Sequence, residues 1–152
     1  MDKWILITGG TKGIGKAVAG CLAKAGYQLI LTYASDEQAA ERASAELTRQ
    51  YAVAVELLQA DITSMQAVDT IDHFLRSRSL RLDALVLNAG ITCRDSFEQI
   101  QVEDWLRVFQ ANVHFPVFLL QRIVDLLQPR GSVVFTGSLM GIEPHSVSLA
   151  YG

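Results

Sequence analysis

Hydrophobic runs of membrane-spanning length are missing from these 152 residues, whereas a helix crossing a bilayer needs about 20 consecutive apolar residues. Met1-Asp2-Lys3 leads directly into a strand-like segment, without the h-region of a signal peptide. Together these lacks set the expectation of a cytoplasmic protein that does not enter a membrane. Cysteine is scarce. Cys21 falls in a segment of helical pattern and Cys93 in a loop, with no CxxC and no Cys/His cluster, so two reduced thiols are expected and no disulfide or metal site. A dominant charge is lacking too: the formal net charge of −3 supplies no general attraction to nucleic acid or anionic lipid. With no internal repeat, low-complexity tract or linker, residues 1–152 are expected to form one domain, long enough to bury a core unaided.

What is present is alternation. Short runs rich in β-branched and apolar residues, Trp4–Thr8, Tyr27–Tyr33, Ala52–Leu58, Ala84–Leu87 and Ser132–Phe135, read as buried parallel strands. Between them, helical periodicity covers Ile14–Ala25, Asp36–Gln50, Met65–Ser77 and Val102–Leu127. Gly26 is placed to end the first helix, Ser35 with Gln38 to form a capping box for the second, and Pro129 with Gly131 to close the last. Strict β-α alternation predicts an α/β doubly wound parallel sheet of Rossmann type, with a ligand crevice outside the carboxyl ends of its strands. In the order 3-2-1-4-5 the fifth strand is an edge, exposing Val133, Val134 and Phe135.

After the first strand comes Thr8-Gly9-Gly10-Thr11-Lys12-Gly13-Ile14-Gly15, opening the first helix. Small residues there let backbone approach a pyrophosphate, and the free N–H groups and the dipole at the helix start favour its negative charge. An ordinary glycine-rich βα turn is the alternative. The spacing is neither GxGxxG nor that of a P-loop, since Lys16 is followed by alanine.

TGGTKGIG resembles the TGxxxGIG signature of the short-chain dehydrogenase/reductase family, and further segments extend the resemblance along essentially the whole sequence. Asn88-Ala89-Gly90 matches the family's NAG motif beside the cofactor, although any strand end turning at a glycine reads similarly. Asp61-Ile62 falls where the family contacts adenine; read by itself, Asp61 is also a turn residue. The resemblance thus implies Gly9, Thr11, Lys12, Gly13, Ile14, Gly15, Asp61, Ile62, Asn88, Ala89 and Gly90 as cofactor-binding. Asn112 lies in the long fourth helix four residues before Pro116, which has no N–H to offer the carbonyl of residue 112, so a kink is expected. It resembles the family's active-site asparagine, whose main chain holds a relay water. Ser138 and Tyr151 match the catalytic serine and tyrosine; read singly, they are a turn residue and an interfacial aromatic.

Carbonyl reduction leaves negative charge on the substrate oxygen, which calls for a proton donor and a fixed hydrogen-bond donor at one atom. By resemblance, Tyr151 donates the proton, Ser138 polarises the carbonyl and Asn112 supports the relay. A tyrosine phenol titrates near pH ~10 unless positive charge lowers it. The family supplies that charge from a lysine four residues on, which here falls at position 155, beyond Gly152. The expectation is therefore a domain incomplete at its C-terminal end, lacking the family's last two strands, and inactive as a 152-residue piece. A noncatalytic dinucleotide-binding fragment or regulatory remnant is the rival reading. An S-adenosylmethionine methyltransferase shares the glycine loop but does not require Ser138 and Tyr151 at this separation.

The cofactor expectation is NADP over NAD. Tyr33 stands about where NAD-preferring members place an acid to hold the ribose hydroxyl, Lys12 precedes Gly13 where NADP users often carry a base, and Ser35 is placed to bond a 2′-phosphate. Asp36 and Glu37 are assigned to the first turn of the second helix, where acids suit the dipole. LNAGIT resembles reductases of the 3-oxoacyl-carrier-protein type, and Arg130 falls near their basic residue for the acidic carrier protein. The expected partner is a small carbonyl or alcohol substrate, free or bound to a carrier protein. The long helix's apolar residues, from Trp105 to Leu126, suggest a homodimer or homotetramer in the full-length form.

Overall fold

The structure, a computed structural model, describes residues 3–143 and 148–151. Met1 and Asp2 before the first strand, 144–147 between the serine and the tyrosine, and Gly152 after it lie outside the described residues. Five strands, β1 (Trp4–Ile7), β2 (Gln28–Tyr33), β3 (Val55–Gln59), β4 (Leu82–Leu87) and β5 (Leu127–Phe135), form one sheet in the expected order β3-β2-β1-β4-β5. Every pairing is parallel.

Alternation along the strands divides the core in two, because successive side chains leave opposite faces of a sheet. Ile5, Ile7, Leu29, Leu31 and Val86 pack with Ala19 and Ala23 of α1 (Gly13–Lys24) and Leu47 of α2 (Glu37–Tyr51). Leu6, Ile30, Leu85 and Leu87 point the other way, against Ile71 and Leu75 of α3 (Gln66–Ser77) and Phe115, Leu119 and Ile123 of α5 (Phe115–Ile123). A sheet buried on both faces explains why the strands read as continuous apolar runs. Outside the core, Arg76 of α3 bonds Asp125 at 3.0 Å and Asp72 at 2.7 Å, and Arg122 of α5 bonds Asp69 at 2.7 Å.

Three local expectations are corrected. The second helix is capped one residue later than expected: Asp36, not Ser35, is its N-cap, accepting the Ala39 N–H at 3.0 Å. The fourth helix is not continuous over Val102–Leu127. It runs as α4 (Val102–Phe109), a π-turn at Gln110–His114, α5, and a 3₁₀ turn at Val124–Leu126. The expected disturbance at Pro116 thus takes the form of a π-turn just ahead of it, in which the Phe115 N–H reaches the Gln110 carbonyl; such turns are a recognised cause of kinks.

Pro129 and Gly131 do not close a helix. They lie within β5, in a bulge where Leu82 and Ala84 of β4 face Leu127 and Ser132. A proline without an N–H and Arg130 at φ +68° suit an interrupted ladder, and bulges tolerate both. Arg130 therefore stands on no helix end, and it lies near the start of β5, at the opposite end of that strand from the crevice. Beyond the bulge, Val134 and Phe135 are 50% and 52% exposed, as expected of an edge. Val133 is the exception, being half-buried against the α3–α5 side of the core.

Candidate functional site

The carboxyl ends of β1, β2, β4 and β5 open onto one cleft of about 1280 Å³. Its floor is organised by Thr8, the residue that follows β1 and is 1% exposed. The Thr8 hydroxyl accepts the N–H groups of Asn88 and Ala89, each at 3.0 Å, and donates to the Val86 carbonyl at 3.4 Å. Asn88 returns the contact through Nδ2, donating to the Thr8 carbonyl at 3.1 Å, while its Oδ1 accepts from Thr136 Oγ1 at 3.3 Å. On the β2 side, the Gly9 N–H donates to Thr32 Oγ1 at 3.1 Å. Asn88 thereby fastens the ends of β1, β4 and β5 together, with its amide occupied by protein groups.

Close packing fixes the glycine loop above this floor. A Cβ on Gly15 would stand 2.2 Å from the Gly9 carbonyl oxygen and 2.7 Å from Asn88 Nδ2, and Gly9 itself has φ +63°. Helix α1 begins here with Lys12 as N-cap, no side-chain cap and no acidic residue in its first turn. The regular ladder starts only with the Lys16 N–H on the Lys12 carbonyl at 3.0 Å. The N–H groups of Gly13, Ile14 and Gly15 therefore have no acceptor within the helix. An uncapped N-terminus with this dipole is suited to an anion.

Of the residues expected at the cofactor, Gly9, Ile14, Tyr33 and Ser35 line the cleft, as do Asp61, Ile62, Asn88, Ala89 and Gly90. Thr11, Lys12, Gly13 and Gly15 stand outside that lining; Thr11 turns inward at 6% exposure. Asp61 Oδ1 accepts from both the N–H and the hydroxyl of Thr63, at 2.9 and 2.8 Å, and so also serves its turn. Partial burial pushes the Tyr33 phenol up, with Glu37 and Glu41 adding to the effect. Lys12 is paired with Asp36, and Lys16 with Glu46 at 2.7 Å. The hydrogen bond from Lys12, aided by the Ala39 N–H, holds the Asp36 carboxyl below its usual range.

Asn112, Ser138 and Tyr151 line the same cleft. Asn112 sits in the π-turn and clamps the Ile91 backbone from both sides, accepting its N–H at 2.9 Å and donating to its carbonyl at 2.8 Å. Its side chain is committed to holding the loop after β4. Asn112→Ala is expected to cost about 1–3 kcal/mol, since a half-buried backbone pair loses both partners. The shift in urea midpoint measures this. Ser138 caps a 3₁₀ turn at Leu139–Gly141, its Oγ accepting the Met140 N–H at 3.2 Å. That use occupies a lone pair and leaves the hydroxyl proton free to donate. Tyr151 is half-buried, with its N–H on the Ser148 carbonyl at 3.0 Å.

Sequence reasoning missed several parts of the site. Thr92 donates to Ser148 Oγ at 3.0 Å, tying the tyrosine's segment to the loop after β4. Arg94 and Arg107 add positive charge to the lining. Nothing in local spacing announces contacts between residues this far apart; for Thr8, the motif quoted the residue without revealing its bonds. Also unforeseen, ligating atoms of Cys93, Asp95 and Asp104 lie within 4.8 Å of one another. The Cys93 thiol donates to Asp95 at 2.9 Å, and this hydrogen bond pushes its pKa up. Among the described residues, no helix is long and apolar enough to cross a membrane.

Comparison with known proteins agrees with this architecture. The chain is 33% identical over 140 residues to a 3-oxoacyl-[acyl-carrier-protein] reductase of Synechocystis, covering 90% of this chain and 56% of that protein. L-sorbose reductase of Gluconobacter frateurii, solved with NADPH and L-sorbose, superposes with a TM-score of 0.92 at 26% identity, over 99% of this chain and 57% of that one. A short chain dehydrogenase of Burkholderia cenocepacia in complex with NADP gives 0.89 at 28% identity, over 98% and 60%. The chain spans 54% to 62% of the length of the first curated relatives it matches. The family model described as short chain dehydrogenase matches residues 3–152, and by that match this chain belongs to the short-chain dehydrogenase family.

Proposed function

We propose that this chain is the nucleotide-binding part of an NADPH-dependent oxidoreductase that reduces a carbonyl to an alcohol in the cytoplasm. The observation that carries the reading is the shared cleft: Ser138, Tyr151 and Asn112 line it together with Gly9 and Ile14 of the glycine loop. The uncapped start of α1 suits the pyrophosphate, and the ends of β2 and β3 suit the adenosine half. When bound, NADPH supplies the hydride.

The chain's own residues would handle the charge that hydride transfer leaves on oxygen. The Tyr151 phenol would give its proton to that oxygen, and the Ser138 hydroxyl, holding Met140 N–H as acceptor, would donate to the same atom. Asn112 would act through its main chain, because its amide is spent on Ile91 and Pro116 brings no N–H to its carbonyl. Lys12 and Ser35 support NADP over NAD, as do the NADP and NADPH in the two neighbouring structures.

A small ketone is the proposed substrate class. A carrier-bound 3-oxoacyl thioester is the finer version, resting on the LNAGIT resemblance and the Synechocystis relative. Arg130 lends it no support from its place near the start of β5. Exposed Leu106, Val113, Val117 and Phe118 on α4, the π-turn and α5 suit a homodimer or homotetramer.

The 152 residues are expected to bind NADPH; turnover is tested in a form that also carries the lysine which the resemblance calls for four residues after the tyrosine. A form extended through that lysine and the remainder of the family fold is expected to consume NADPH with a ketone. In that form Tyr151→Phe should lower the rate by about 10²–10⁴-fold, read from nicotinamide absorbance. An unchanged rate would contradict the assignment of Tyr151 as proton donor.

A further inference from the structure

Resting on the carbonyl-reduction reading, we propose that Arg94 and Arg107 bind a carboxylate on the substrate, which makes the substrate class keto acids rather than neutral ketones or thioesters. Among the described residues, the charged groups that line the cleft are Asp61, Arg94 and Arg107. Asp61 follows β3, at one edge of the sheet, whereas Arg94 lies on the loop after β4 and Arg107 on α4. In a chain of net charge −3, the end of the cleft that holds Ser138 and Tyr151 is thus lined by cations alone among its charged groups.

Hydrogen bonds carry Arg94 to that end. Asn112 clamps Ile91 at 2.9 and 2.8 Å, and Thr92 donates to Ser148 Oγ at 3.0 Å, so the loop bearing Arg94 is pinned beside the π-turn and the tyrosine's segment. Arg107 is brought near by the same loop. Ligating atoms of Cys93 and Asp104 lie within 4.8 Å of each other; Arg94 is the next residue after Cys93, and Arg107 stands three residues beyond Asp104, one turn along the same side of α4. The neighbouring acids do not neutralise the two cations. Asp95 accepts the Cys93 thiol at 2.9 Å, and among the described residues neither arginine forms an ion pair. At the glycine loop, by contrast, Lys12 and Lys16 are paired with Asp36 and Glu46.

Two such guanidinium groups beside a proton donor call for an anion. The NADPH pyrophosphate is already served at the uncapped start of α1, which leaves the arginines to the substrate. A guanidinium fork matches the two oxygens of a carboxylate with parallel hydrogen bonds, so it selects by geometry as well as by charge. A carboxylate held there would fix the molecule that bears it and present its keto oxygen to Ser138 and Tyr151. An ester or thioester offers neither arginine a charge.

The test uses the extended form with NADPH and two pairs of probes, 3-oxobutanoate and 3-oxooctanoate, each against its ethyl ester. For the acid, kcat/KM is expected to exceed that of its ester by about tenfold or more, the range for hydrogen bonds to a charged group. Arg94→Gln and Arg107→Gln should each lower that ratio about tenfold. Arg94→Lys and Arg107→Lys, which keep the charge without the fork, should restore part of it, and thermal melting of each variant checks the fold. Esters reduced as well as acids by the wild type, or a ratio left unchanged by either glutamine substitution, overturns the inference while leaving carbonyl reduction in place. Absence of NADPH consumption with all four compounds overturns that reading, and the inference with it.

Discussion

Thr8→Val is expected to destabilise the chain by about 2–5 kcal/mol, with the loss appearing as a lower urea midpoint at an unchanged slope. Valine has nearly the same shape, so packing in the 1% exposed site is kept and only the hydroxyl is removed. The Asn88 and Ala89 N–H groups, now at 3.0 Å from Thr8 Oγ1, lose their acceptor. Each donor left unpaired in a partly buried place costs about 1–3 kcal/mol. Thr8→Ser, which restores the oxygen, is expected to recover most of the loss. A cost below about 0.5 kcal/mol, the range of ordinary surface substitutions, would show that Thr8 does not organise the floor of the cleft.

Gly15→Ala is expected to remove nucleotide binding and to cost about 1–3 kcal/mol or more, the range for forcing an additional methyl into a packed site. The added carbon would sit 2.2 Å from the Gly9 carbonyl oxygen, so the backbone of the glycine loop must move, and with it the first turn of α1. Gly13→Ala is the informative control. A Cβ there meets nothing within 4 Å, and its φ of +51° is the only obstacle, a strain of about 1–2 kcal/mol for an L-residue. Calorimetric titration with NADPH beside denaturation of both variants separates the two causes. Equal behaviour of the two alanines would mean that backbone conformation, not close approach, sets the requirement for glycine.

Much of the architecture could be read from local pattern because the central strands β1, β2 and β4 are buried on both faces. Ile5, Leu6 and Ile7 all face core, so the run is continuous and distinct from the helical periods beside it. Those expected residues that line the cleft, Gly9, Asp61 and Asn88 among them, follow a related logic: in this topology they fall at successive strand ends, where motif and turn coincide. Resemblance, not spacing alone, singled out Asn112, Ser138 and Tyr151.

What escaped the sequence depends on partners distant in the chain. Residues 127–131 carry a proline and a glycine, which locally mean the end of a helix. Their pairing with β4 through a bulge is set by residues some 45 positions away. The same holds for the clamp of Asn112 on Ile91 and for Thr92 on Ser148. Lys12 and Asp36 were each assigned a place, one toward phosphate and one toward the helix dipole, and their pairing with each other was not foreseen. The shift of the cap from Ser35 to Asp36 is a smaller matter of the same kind, since both residue types cap well and the path of the chain out of β2 decides between them.

The most direct measurement is an amide ¹H–¹⁵N titration of the chain with NADPH. The account predicts saturable shifts at Gly13, Ile14 and Gly15 and at Asn88 through Gly90, accompanied by Ser138 and Tyr151, with the α3–α5 surface around Arg76 and Arg122 unmoved. Saturable binding that leaves the glycine loop unshifted, or no binding at all, would contradict it.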